Sequence, residues 1–277
     1  MVKQDDREVY LDGYLKNSMD IMIKKVKKKW DCVLIATGKE GDGKSVLMAT
    51  MMKYLDPTFN MDRCFLNGKE FLEALIRADP IKDKFKAFML DEGQEFTSRA
   101  AMTKFNRLMV HVLSKIRSKQ LFIGICIPNF WELDSYGAVH RSTALLRVYS
   151  NRLQRGYFEY YNWEKKKILY YQGKKQGQSW IVTKPNFRGK FVYKSFPFDQ
   201  DKYDEKKHRS MEEIDLSELD RDKKHTGQRD GLIMYLSEVV GLTQREIAEI
   251  LANCKYPLSQ QQVSKIINTY HKKYSNS

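Results

Sequence analysis

The sequence offers little that would suit a secreted, membrane-spanning or metal-stapled protein. Its four cysteines, Cys32, Cys64, Cys126 and Cys254, lie far apart with no CxxC pair. Three of them adjoin apolar runs, so they are expected as buried thiols of a reducing compartment, and the spacing argues against a metal site. No apolar run approaches the roughly 18 residues that read as a bilayer span. The first residues are acidic and polar where a signal peptide is basic and then apolar. Together these features lead us to expect no membrane span and a cytoplasmic location, or a host cytoplasm or virion if the source is viral. No internal repeat is evident.

What is present is charge and a core. Hydrophobic residues make up 42% of the 277, enough for a packed interior. Lys and Arg number 49 against 35 acidic residues, a formal net charge of +14. A bias of that size suits a polyanionic partner, nucleic acid or an anionic membrane, although a solubility surface is the plain alternative.

Along the chain, residues 1–30 read as an N-terminal basic helix. Its lysines, Lys24, Lys25, Lys27, Lys28 and Lys29, serve either phosphates or solvent. Residues 31–150 alternate buried strands with amphipathic helices. Five apolar strands are expected at 32–37, 63–66, 85–90, 121–127 and 144–149, giving an α/β fold with a mostly parallel five-strand core sheet and helices on both faces. Residues 151–200 are rich in aromatics interleaved with Lys, Gln and Gly. They read as an aromatic and basic β-rich extension built of hairpins. Residues 201–225 are densely charged, a solvated linker or an exposed helix. Residues 226–277 read as a small C-terminal helical domain.

The segment Gly38-Lys39-Glu40-Gly41-Asp42-Gly43-Lys44-Ser45 fits GxxxxGK[ST] in full, between an apolar strand and a helix that includes Val46. This is a Walker A pattern, expected to cradle the phosphates of ATP with backbone N–H groups. Lys44 would reach the β- and γ-phosphates, and the Ser45 hydroxyl would ligate Mg²⁺. Downstream, the apolar run 86–90 ends in Asp91-Glu92, which places Asp91 beside the metal and makes Glu92 the candidate to orient the attacking water. After the next strand, Pro128-Asn129 offers a γ-phosphate-sensing amide, or simply a turn. The strand before it would lie between the 32–37 and 85–90 strands. Arg99, Arg107, Arg117, Arg141, Arg147 and Arg152 are candidates for an arginine finger acting across a subunit boundary, with Arg141 and Arg147 preferred.

These residues together resemble the additional-strand, catalytic-glutamate branch of P-loop ATPases. Within it, GKEGDGKS, FMLDE, the run Lys115–Gly124 and the segment IPNFWELDSYGAVHR are similar to the FtsK/HerA class, which includes DNA pumps, viral packaging ATPases and Zot-like phage proteins. The class usually ends its sensor strand in Gln, where this chain has Asn129. The resemblance covers roughly residues 28–150. It implies a P-loop NTPase fold and a homo-oligomeric ring, a hexamer being one candidate size.

The C-terminal region reads as a helix-turn-helix. A first helix is expected at 231–240. Thr243-Gln244-Arg245-Glu246 then forms a capping box, and Ser259 opens a last helix. Gln260, Gln261, Ser264, Lys265 and Asn268 would face DNA, expected to be double-stranded, while Val263, Ile266, Ile267 and Tyr270 pack inward. A three-helix protein-docking module is the alternative. The rings of 151–200 could stack bases or fill a core. Lys165–Lys167, Lys174, Lys175, Arg188 and Lys190 are candidates for backbone contacts. The expected function is a Mg²⁺-dependent ATPase that translocates, packages or loads DNA. A nucleotide-switched DNA-binding regulator and a virion or membrane assembly ATPase are the alternatives.

Overall fold

A computed structural model describes residues 10–91, 99–152, 154–253 and 258–274. The chain divides into two compact units, Met1–Met211 and Glu212–Ser277.

The first unit is an α/β sandwich on one seven-stranded sheet of order β2-β3-β4-β1-β5-β6-β7. The strands are β1 (Cys32–Thr37), β2 (Cys64–Phe65), β3 (Ala87–Leu90), β4 (Phe122–Ile127), β5 (Ala144–Asn151), β6 (Gln154–Tyr161) and β7 (Phe187–Lys190). The first five are parallel to one another, and β6 and β7 add on antiparallel. The five expected strands are all present, and β4 lies between β1 and β3 as anticipated. Central strands with no polar face, such as CVLIAT and FIGICI, must be covered on both sides. Alternation divides them between two cores. Cys32, Leu34 and Ala36 of β1 pack with α1 (Gly13–Lys27) and α2 (Lys44–Leu55), while Val33 and Ile35 pack with α3 (Gly68–Arg77) and α4 (Arg99–Lys115).

The helices start where side chains supply caps. Asp12 accepts from Tyr14 N and Leu15 N ahead of α1, and Asn67 accepts from Lys69 N and Glu70 N ahead of α3. The interior face of α1 is Leu15, Met19, Met22 and Val26, with Lys24, Lys25, Lys27, Lys28 and Lys29 exposed.

Two expectations need correction. Among the described residues, the 151–200 extension contributes two further strands, β6 and β7. Between them lies α5 (Trp163–Ile168), continued by a π-helical turn, Leu169–Gly173. Asn162 caps it by accepting from Lys165 N, and Lys166, Leu169, Tyr170 and Gly173 recur at helical spacing on its buried side. High aromatic content masked a 3.6-residue period. Secondly, the charged stretch and the first C-terminal helix are one element, α6 (Gln200–Glu238). Its interior glycines, Gly227 and Gly231, cost a helix about 1 kcal/mol each, too little to break so long a run.

The second unit packs the end of α6 with α7 (Gln244–Asn253) and α8 (Gln260–Tyr274). Its core is Ile233, Met234, Ile247, Leu251, Val263 and Ile267. Among the described residues no helix is long and apolar enough to cross a membrane.

Candidate functional site

β1 delivers the chain to the C-terminal edge of the parallel strands, where ligands of open α/β sheets gather. Thr37, its last residue, donates its hydroxyl to Pro128 O at the end of β4, 3.1 Å away. The chain then turns through Gly38–Gly43 into α2. Gly38 has φ +153°, and a Cβ there would stand 2.2 Å from Val148 O of β5. Gly43 has φ +99°, and a Cβ there would stand 2.7 Å from the Tyr193 ring and 3.0 Å from Phe191. Sterics therefore require glycine at both ends of the loop.

The loop is pinned on two sides. Asp42 Oδ2 accepts from Lys39 N at 3.0 Å, and Asp42 Oδ1 accepts from Ser150 Oγ of β5 at 2.6 Å. At the other end, Ser45 donates its hydroxyl to Asp91 Oδ1 at 2.7 Å. Asp91 follows β3, is 1% exposed, and its own N–H donates to Phe65 O of β2. Its second oxygen, Oδ2, accepts the phenol proton of Tyr203 from α6. The Lys44 side chain is 3% exposed and folds over the loop, its ammonium donating to Gly38 O (3.0 Å) and Lys39 O (3.2 Å). Unlike α1, α3 and α5, α2 begins without a side-chain cap, at glycine. Its first N–H groups therefore face the loop with the positive end of the helix dipole behind them.

Beside the loop opens a cavity of about 330 Å³, lined on the loop side by Thr37, Gly38, Lys39 and Asp42. Asn129, Trp131, Arg147, Tyr149, Gln178 and Trp180 form much of its other wall. Asn129 therefore reaches this region. Its Oδ1 accepts from Trp131 N, capping the turn Phe130–Glu132, and its Nδ2 donates to Gln178 Oε1 at 2.9 Å. Arg147 stacks 4.6 Å from the Trp180 ring and pairs with buried Glu159 at 3.2 Å. That is a placement beside the chain's own loop, held by its own residues, which differs from the expected finger for a neighbouring subunit.

Arg141, the other preferred finger, is engaged within its own chain. It donates to Leu113 O and forms an ion pair with Asp31, the residue immediately before β1. β1 and β5 run parallel away from this point, so Arg141 sits at the sheet edge opposite the loop and acts as a structural clamp. Glu92 lies outside the described residues. Glu40 is exposed at the loop's turn, and Val46 is half-buried against the core, with its carbonyl accepting from Thr50.

No cluster of three or more His, Cys, Asp or Glu suited to a metal occurs among the described residues. Mg²⁺ beside a nucleotide needs only one or two protein oxygens, because phosphates and water supply the rest. The convergent hydroxyl and carboxylate of Ser45 and Asp91 fit that requirement. Among the described residues, Cys32, Cys64 and Cys126 are buried thiols. Burial pushes Cys32 up to about 12, and burial reinforced by the Asp91 charge pushes Cys64 up as well. Cys254 lies outside the described residues.

Several residues at the site carry no motif. Arg155, at the start of β6, donates to Tyr193 OH at 2.6 Å and stacks over that ring, with its guanidinium 3.8 Å from the Cβ position of Gly41. Ser150, Trp180, Gln178 and Tyr203 likewise arrive by tertiary folding alone.

In the second unit, two capping boxes open α7 and α8. Thr243 N donates to Glu246 Oε2 at 2.8 Å, and Ser259 N donates to Gln262 Oε1 at 2.9 Å. Val263 and Ile267 face the core and Ile266 is half-buried. The side chain of Tyr270 lies outside the described residues. Gln260, Gln261, Lys265 and Asn268 are exposed and Ser264 is half-exposed. Lys166 drops out of the candidate phosphate contacts. It is 0% exposed, and its ammonium donates to Val139 O, Ser142 O and Ser142 Oγ. Arg188 pairs through Nε with Glu159 at 2.9 Å while its side chain stays 66% exposed.

Neither protein-family models nor curated proteins yield a match to this chain.

Proposed function

We propose that the chain is a Mg²⁺-dependent ATPase of the P-loop kind that acts on DNA as a homo-oligomeric ring, by translocation, packaging or loading. The single observation that carries the ATPase reading is the 2.7 Å hydrogen bond from Ser45 to Asp91. It brings the last residue of a glycine loop and the carboxylate ending β3, the parallel strand next but one to β1, to one point, at an uncapped helix N-terminus. Phosphates would lie against the N–H groups of Gly41–Ser45. Lys44 would exchange the carbonyls of Gly38 and Lys39 for β- and γ-phosphate oxygens. Ser45 and Asp91 would hold Mg²⁺, which neutralises charge developing on those oxygens. Glu92, adjacent in sequence to Asp91, would orient water for attack, and Asn129 and Arg147 line the cavity beside the loop. The DNA part of the reading rests on the +14 net charge and on the exposed polar face of α8.

ATP hydrolysis is measured with and without single- and double-stranded DNA, beside Lys44→Ala and Glu92→Gln. Loss of hydrolysis in both variants and stimulation by DNA are expected. Wild-type turnover by Glu92→Gln refutes the mechanism. Hydrolysis indifferent to DNA, with no DNA retained at low salt, refutes the DNA role and favours an assembly ATPase.

A further inference from the structure

Asp91 is a buried carboxylate whose two oxygens have different partners. Oδ1 receives the Ser45 hydroxyl and Oδ2 receives the Tyr203 phenol. Tyr203 is 5% exposed. Its ring packs 4.6 Å from Phe196, which meets Phe198 edge-on at 5.4 Å, and Phe198 lies 5.3 Å from Phe59. One turn along α6, Lys206 donates to Met61 O (3.1 Å) and Cys64 O (2.7 Å), tying the helix to the start of β2. The phenol is thus a fixed donor. A carboxylate otherwise has broad freedom about its last torsion, and Mg²⁺ demands near-octahedral ligand directions.

We propose that Tyr203 is a positioning residue for the metal seat. Its O–H anchors Oδ2 so that Oδ1 is held toward the Ser45 hydroxyl and the cation. The inference rests on the ATPase reading above. It also makes the first turns of α6 a wall of that seat, so cation binding and the docking of those turns favour each other reciprocally.

The test is Tyr203→Phe in the full chain, which keeps the ring and deletes the donor. Mn²⁺ affinity in the presence of a non-hydrolysable ATP analogue, read from the free-Mn²⁺ resonance signal, is expected to fall about tenfold, as loss of a hydrogen bond to a charged group implies. Analogue affinity in EDTA should stay within about twofold of wild type, because no phosphate contact is touched. In the wild-type chain, hydrogen exchange over residues 200–207 should slow when Mg²⁺ joins the bound analogue. This second measurement does not depend on the variant's folding. Unchanged Mn²⁺ affinity, an equal loss in EDTA, or exchange indifferent to Mg²⁺ overturns the inference. If wild-type protein binds no nucleotide with or without metal, the ATPase reading falls and takes this one with it. Lys44-dependent hydrolysis alongside a metal-indifferent Tyr203→Phe overturns this one alone.

Discussion

Replacing Gly43 by alanine tests the loop geometry without touching any group that would contact a ligand through its side chain. Two costs are separable. At φ +99° an L-residue is strained by about 1–2 kcal/mol. The new methyl would also stand 2.7 Å from Tyr193 Cδ2 and 3.0 Å from Phe191 Cζ, so both rings must withdraw toward the 3.4 Å of ordinary contact. Neither ring moves freely. Phe191 belongs to the core, its N–H bonded to Gly156 O, and Tyr193 is held by Arg155. Overpacking of this kind costs about 1–3 kcal/mol. Urea unfolding of Gly43→Ala should therefore show a loss of about 2–5 kcal/mol. In the double variant Gly43→Ala/Tyr193→Ala, the Tyr193 share of the ring component disappears while the Phe191 contact and the strain stay, a coupling of roughly 1 kcal/mol in the cycle. A fluorescent ATP analogue should bind Gly43→Ala more than about tenfold more weakly, because the N–H groups at the start of α2 are re-aimed. A stability within ~0.5 kcal/mol of wild type, or strictly additive variants, refutes the loop conformation.

Three further outcomes follow from the same contacts. Arg141→Gln should cost about 3 kcal/mol of stability, since it strands Asp31 beside a lost partner, while leaving kcat near wild type; a selective loss of hydrolysis in a stably folded variant would return Arg141 to the active site. Burial pushes the Lys166 ammonium down to about 7 from its ordinary 10.5. Between pH 7 and 10 the unfolded chain then binds more protons than the folded one, so stability rises with pH by at most ~1.4 kcal/mol per unit, below that ceiling because three oxygens accept from the ammonium; Lys166→Met should lack this rise, and identical pH profiles for the two proteins refute it. Lys265→Ala should lower the slope of log affinity for DNA against log salt by about one, equally for all sequences, and an unchanged slope removes Lys265 from the interface.

The parallel strands were legible because a strand buried on both faces leaves an unbroken apolar run, and CVLIAT, AFML and FIGICI admit little else. Asp91 was placed beside Ser45 on similar grounds, since parallel strands entering from one edge bring their ends to the other. What the sequence hides has two physical origins. Residues 163–173 carry a helical period written in Lys, Leu and Tyr, and their aromatic content imitates strand. Arg155, Tyr193 and Tyr203 reach the loop through β6, the segment after β7 and the first turn of α6, none of which has local sequence character of a site. The position of Arg141 is hidden for a related reason. Its distance along the chain from the sensor strand is short, yet the π-helical turn Tyr136–Arg141 carries it back to the opposite edge before β5 begins.

The two pins of the loop reach strands on opposite sides of β1. Asp42 is tied to Ser150 at the end of β5, and Ser45 to Asp91 at the end of β3, with β4 lying between β3 and β1. The loop's span is therefore set by the sheet and cannot relax at one end alone. Anything that draws the Ser45 hydroxyl toward a bound ligand must alter the geometry at Asp91, and through Oδ2 the donor that α6 supplies. The Asp42–Ser150 pin leads instead to the end of β5, on the other side of β1 from Asp91. A ligand's effect should thus leave the loop asymmetrically, through Asp91 and Tyr203. Ser150→Ala should weaken the loop without changing how metal affects α6, whereas Ser45→Ala should abolish the metal's effect on α6. Equal behaviour of the two variants in hydrogen exchange over residues 200–207 would show that the loop moves as one rigid piece and refute this division.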